Sequence, residues 1–259
     1  MNGSEHLEPA HLAVPAVEHE QFGTNFIRTA VCELRFPTLH EIDDERPPLR
    51  FAQTLRKEYP VHLRASGVNL TPGAVARSQT HVFKSRNSLW TINLSTQALS
   101  LETSRYDSFK DFEARIGQLI DASLSFIDTD FFTRIGIRYV NVLPYDRSSI
   151  GKWVNPALVG DLASGLYGDC TEFSASVRGT TEVGGYLFQH GIGLSDSQGN
   201  AAAPGRGYGL DFDFYCENVE VKQAMPVITA LHGRQFEMFM WSLGDAARER
   251  LRSVEVRRG

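Results

Sequence analysis

At 259 residues, with 42% hydrophobic side chains and 16 phenylalanines, the chain is long enough for one large core or two small lobes. A net charge of −5 argues against the broad cationic footprint on which nucleic-acid binding rests. Arg248, Arg250, Arg252, Arg257 and Arg258 do gather near the C-terminus, where cations suit a helix end. Cys32, Cys170 and Cys216 are far apart and form no C-x-x-C, so no zinc knuckle or redox pair is expected; reduced thiols in a cytoplasmic protein are the simplest account. The N-terminal stretch carries Glu5, Glu8, Glu18 and Glu20 and no basic-then-apolar run, so it does not read as a signal peptide. No apolar stretch approaches the length that spans a bilayer.

Residues 1–21 are polar, contain Pro9 and Pro15, and read as a loose, flexible tail. A strand is expected over 26–36, ended by Pro37, and a helix over 49–58, ended by Tyr59-Pro60. A weak strand follows near 61–70. Three clearer ones cover 81–86, 89–94 and 98–103, with Asn87-Ser88 as the hairpin connection between the first two. Trp90, Ile92 and Leu94 share one face of the middle strand, and Thr91 and Asn93 the other. Ser108 opens a helix with Asp111 three residues on, close to a capping box. Phe109, Phe112, Ile116, Leu119, Ile120 and Leu124 then recur at helical spacing.

A second strand–proline unit begins near 131. In it Ile135, Ile137 and Tyr139 alternate with Arg134, Gly136 and Arg138. A short helix is expected within 153–166, capped by Asn155 with Pro156 at its first position. Strands are expected at 171–178, 185–194 and 208–221, the last broken near Cys216-Glu217-Asn218. The loop 195–207 is rich in Gly, Ala and Ser, and one helix runs over 223–252. The order strand, helix, strands, helix occurs twice, which divides the chain into an α+β lobe at 22–128 and a second at 129–259. This plan is similar to the TATA-binding-protein-like and helix-grip folds. It implies a curved antiparallel sheet with long helices on one face, because Tyr208, Leu210, Phe212 and Phe214 need cover that Gly209, Asp211 and Asp213 do not.

No complete catalytic constellation is present. There is no H-x-x-x-H pair and no G-x-S-x-G elbow, and Cys32 lacks a neighbouring base. Gly205-Arg206-Gly207-Tyr208-Gly209 lacks the G-K-[ST] ending of a phosphate loop and runs into a strand. Asp211 and Asp213 lie on one strand face about 7 Å apart. With Glu172 or His190 they are the candidate divalent-metal or acid–base site, although such a pair is more often the wet face of a strand. Arg134 and Arg138 project from one side of a strand that should be central. They must be solvated or paired, either with Asp211 and Asp213 or with an anionic ligand.

Cys32-Glu33-Leu34-Arg35-Phe36, Leu99-Ser100-Leu101-Glu102-Thr103 with Tyr106 and Phe109, and above all Arg134-Ile135-Gly136-Ile137-Arg138-Tyr139-Val140-Asn141, resemble a sporadically distributed prokaryotic family of similar length. The resemblance spans nearly the whole chain and implies no catalytic residue. The patchy distribution of such families implies a link to toxin–antitoxin, immunity or anti-phage systems. The expectation is a non-enzymatic binding or regulatory protein with no cofactor and no metal. Its polar sheet face, with Arg134, Arg138, Asp211, Asp213, Thr91 and Asn93 as the binding candidates, would recognise a protein partner or a small anionic ligand. An enzyme built around Asp211 and Asp213, and nucleic-acid binding by the open sheet, are the alternatives.

Overall fold

The computed structural model describes residues 11–40, 42, 46–71, 74–144, 147–193 and 207–253. Among them are nine strands: β1 (Ile27–Arg35), β2 (Val61–Thr71), β3 (Ala74–Lys84), β4 (Trp90–Leu94), β5 (Ala98–Thr103), β6 (Phe131–Leu143), β7 (Phe173–Thr180), β8 (Gly185–Ile192) and β9 (Tyr208–Glu220). Six α-helices accompany them: α1 (Leu49–Leu55), α2 (Phe109–Ser123), α3 (Ile150–Trp153), α4 (Pro156–Ala163), α5 (Ala224–Ser242) and α6 (Asp245–Arg252). The architecture is α+β, with strand order β2-β3-β4-β5-β1-β6-β9-β8-β7. The chain divides into two compact units, Ile27–Asn141 with Tyr215–Thr229, and Met1–Phe26 with Val142–Phe214 and Ala230–Gly259.

The Ile27–Asn141 unit is built on strict alternation. Ala30, Cys32 and Leu34 of β1 are buried, and register aligns them with equally buried neighbours. Cys32 stands opposite Leu101 on one side and Ile137 on the other, and Leu101 stands opposite Ile92. Because side chains repeat every two residues, this register puts one apolar surface across β4, β5, β1 and β6. The stripe of α2 covers it with buried Phe112, Ile116, Leu119 and Ile120, and Ala224 and Ile228 join the same core. Each such fully buried side chain contributes about 2 kcal/mol. The Ser108 hydroxyl accepts the Asp111 N–H at 3.2 Å and satisfies one of the orphan donors of the first turn of α2.

Two elements of this unit differ from the sequence reading. The weak strand near 61–70 and the strand at 81–86 are an eleven-residue pair, β2 and β3, with a ladder from Val61↔Lys84 to Thr71↔Ala74. Gly67 and Asn69, which disfavour strands, weaken the local signal of its distal half. The break expected near 216–218 is absent: β9 continues to Glu220, with Asn218 taking up a φ of 54°.

In the other unit the aromatic face of β9 packs on β8. Phe188 stacks on Phe212 with centroids 4.7 Å apart, and Tyr186 on Phe214 at 5.4 Å. The single helix expected over 223–252 is two. The Gly244 N–H donates to the Trp153 carbonyl at 2.9 Å, Leu243 bridges Val154, and the Lys152 carbonyl lies where a Gly244 side chain would begin. Helical periodicity continues through this point, and the α3 backbone interrupts it. Asn155 caps α4 as expected, accepting the Ala157 N–H at 3.0 Å.

The expected loose tail is anchored where it is described. Leu12 donates to the Thr180 carbonyl at 2.9 Å and accepts from Arg234 at 2.7 Å. His19 stacks on Phe236 at 4.7 Å, and Glu20 pairs with Arg252 at 3.2 Å. Polarity alone did not reveal that α5 and α6 present matching partners. Arg248 donates to the Met240 and Leu243 carbonyls, so it closes the end of α5. The expected loop at 195–207, apart from Gly207, and Arg257 and Arg258 lie outside the described residues.

Candidate functional site: the polar face of β1 and β3–β6

The side of the Ile27–Asn141 sheet away from its apolar core carries side chains in rows set by the ladder. Lys84, Thr91, Glu102, Val31 and Arg138 form one row, and Val82, Asn93, Ser100, Glu33 and Gly136 the next. Arg35 stands opposite Arg134 one step further along. Thr91, Asn93, Arg134 and Arg138, expected on one polar face, share it. In these rows four basic residues, Arg35, Lys84, Arg134 and Arg138, meet two acidic ones, Glu33 and Glu102, in a chain whose net charge is −5.

Arg134 is held on three sides. Its Nη1 donates to Glu33 Oε1 at 3.3 Å, and its guanidinium carbon lies 4.6 Å from the centre of the Tyr215 ring. The third side is Gly136, where a Cβ would stand 2.6 Å from Nη1. The planar guanidinium therefore lies across a glycine on its own strand, which explains the spacing Arg-Ile-Gly-Ile-Arg: the isoleucines face the core and the glycine leaves room for the first arginine. Glu33 Oε1 also accepts from Arg35 Nε at 2.6 Å. The side chains of Arg134 and Glu33 are 18% and 30% exposed, so the pair is shielded yet reachable. Sequence reasoning offered Asp211 and Asp213 as partners and passed over Glu33. The signal was the alternation of Glu33 with Cys32 and Leu34, but the register that brings β1 against β6 is not written locally.

Asn93 Nδ2 donates to Ser100 Oγ at 3.2 Å, a cross-strand bond that orients the amide along the face. Cys32, in the core behind this face, is no nucleophile. Burial, and then Glu33, push the Cys32 thiol up to about 12, so a thiolate does not form there. Cys32, Cys170 and Cys216 are all free thiols.

Asp211 and Asp213 belong to the other unit, on β9. They alternate with buried Leu210, Phe212 and Phe214, as expected, but Asp211 is only 7% exposed and is not on a wet face. His190 cannot complete a metal site with them. It lies on the aromatic side of the sheet, stacked on Phe188 at 4.9 Å and hydrogen-bonded through Nδ1 to the Tyr208 hydroxyl at 2.7 Å, whereas Asp211 projects from the opposite side of β9. Burial holds the His190 pKa below the ordinary imidazole range. Among the described residues no group of three or more His, Cys, Asp or Glu side chains is placed to hold a metal ion, and no helix is long and apolar enough to cross a membrane.

No protein-family model matches the chain, and no curated protein is similar to it.

Proposed function

We propose that this protein is a non-enzymatic binding module whose polar face on β1 and β3–β6 recognises an anionic group, carried by a protein partner or a small molecule. The observation that carries the reading is the arrangement of Arg134. A guanidinium laid over Gly136, backed by the Tyr215 ring and held by Glu33, is pre-positioned for bidentate contact at low entropic cost. Arg138 follows on the same face, and Thr91, Asn93 and Ser100 supply neutral donors and acceptors beside it.

We read the chain as two copies of one plan similar to the TATA-binding-protein-like and helix-grip folds. Element order supports this: β1, α1, β2–β5, α2, and then β6, α3 with α4, β7–β9, α5. So does strand order, in which the opening strand of each run neighbours the last strand of that run, β1 beside β5 and β6 beside β9. The resemblance to a sporadically distributed prokaryotic family is the ground for proposing a link to a toxin–antitoxin, immunity or anti-phage system, and free thiols suit a cytoplasmic location.

The test is affinity capture of tagged protein from its native host, run beside the Arg134→Ala/Arg138→Ala double variant. A stoichiometric molecule, protein or small, held by the native chain and lost from a folded double variant supports the reading. A molecule retained equally by both, or a double variant that unfolds, removes the arginines from any recognition role.

A further inference from the structure

The edge of the sheet farthest from Arg134 carries a second cationic feature that the polar face does not use. An open cavity of about 560 Å³ is lined by Arg46, His62, Leu63 and Arg64. It belongs to the same compact unit but to the other side of the sheet. The ladder runs His62↔Phe83↔Ile92 and Arg64↔His81↔Leu94, so both basic residues of β2 project with the core-facing row. Arg46 comes from the segment before α1.

His62 is held in place. Its ring stacks on Phe83 at 4.7 Å, and its Nε2 shares a 3.2 Å hydrogen bond with Nδ1 of buried His81. When His81 is the donor, His62 Nδ1 carries its proton and serves as a donor, and among the described residues it has no partner. Neither the Arg46 nor the Arg64 guanidinium has an ion-pair partner among the described residues.

Two imidazole nitrogens 3.2 Å apart would also suit a metal ion. Charge decides against it, because two arginines line the same cavity, and among the described residues no third ligand joins the histidines. An anion reverses every one of these terms. Two guanidinium forks and an imidazole N–H present donors with a charge of at least +2, which matches a phosphate near its second ionisation better than a singly charged carboxylate. The cavity exceeds what one free phosphate fills, which leaves room for the organic group of a monoester.

We infer that the Arg46–His62–Arg64 cavity is a binding site for a small phosphomonoester. Burial, then His81 and Arg64, hold His62 below the ordinary imidazole pKa. The negative charge of a bound dianion beside the imidazole favours its protonated form, so the His62 pKa rises on binding. The charged and titratable groups around His62 that enter this balance are His81 on β3, Arg64 on β2 and Arg46 before α1.

The experiment is calorimetric titration of the full chain with phenyl phosphate and, separately, inorganic phosphate, with the His62 imidazole followed by NMR across pH. Phenyl phosphate should bind more tightly than inorganic phosphate and move the His62 titration upward. Arg46→Gln and Arg64→Gln should each weaken it by about tenfold. Arg46 and Arg64 are both exposed, so these variants should keep the native melting temperature. Lys222→Gln, at an exposed lysine after β9 that lines neither the cavity nor the polar face, should bind phenyl phosphate normally, which separates a built site from a general effect of surface charge. Absence of heat with a stationary His62 signal overturns the proposal, as does equal affinity in the Arg46→Gln/Arg64→Gln pair. Preference for inorganic phosphate overturns the ligand class.

Discussion

The guanidinium of Arg134 occupies the space a side chain at Gly136 would need, with Nη1 2.6 Å from where its Cβ would stand. Two residues apart on one strand, they share a face, and the absent side chain of one fixes the path of the other across to Glu33. A glycine inside a central strand weakens the strand by itself, and here the arginine fills the gap it leaves.

Gly136→Val should displace Arg134 from both Glu33 and Tyr215 and cost about 1–3 kcal/mol in urea unfolding. Gly136→Ala should cost less, because the atom it meets is the flexible tip of the arginine. In an Arg134→Ala background most of the valine penalty should vanish, so the cycle is strongly non-additive. Additive penalties would mean that Gly136 is needed for the strand backbone and not for Arg134.

Gly244→Ala and Gly160→Ala should have opposite signs. Gly244 meets the Lys152 backbone carbonyl, which cannot step aside, so the added methyl should cost about 1–3 kcal/mol. Gly160 sits in α4 with no atom near its missing Cβ, and alanine there should stabilise by about 0.5–1 kcal/mol. Denaturant midpoints of the two variants against the native chain decide it, and a stabilised Gly244→Ala would refute the close approach.

Acid should destabilise the unit that holds α5 beyond Ala230. Burial first, and the neighbouring His19 second, lower the His232 pKa to about 3. The unfolded chain then takes up the proton before the folded one does. The contribution of His232 is complete above the ordinary histidine pKa of about 6.5 and is lost as pH falls from there toward about 3. His190, lowered by burial, adds the same sign. His232→Phe keeps a ring beside Phe236 and removes the titration, so its melting temperature should fall less between pH 7 and pH 5 than that of the native chain. Parallel falls would place the acid sensitivity elsewhere.

Elements with strong periodicity were legible before any coordinates. The strand at 98–103, the Ser108 cap with the α2 stripe, the Asn155-Pro156 start of α4 and the faces of β4 and β6 follow from spacing alone. The single last helix failed because Gly244 is read as a tolerated glycine until the Trp153 and Lys152 carbonyls are known to lie against it. Of the expected tail, residues 1–10 lie outside the described residues, and the anchoring of the rest was not legible because its polar residues find partners such as Arg252, more than two hundred residues away in sequence. His190 was grouped with Asp211 and Asp213 by residue type, and strand parity separates them.

The sequence by itself determined which side chains face the core, since alternation and helical spacing are local and burial rewards them directly. It placed Arg134 and Arg138 on one polar side with Thr91 and Asn93 for the same reason. Only the tertiary structure decided what those arginines touch. Strand register, the approach of Tyr215 to Arg134 and the meeting of Arg46 with His62 and Arg64 are contacts between distant segments, selected by the packing of the whole sheet and by no local preference of the chain.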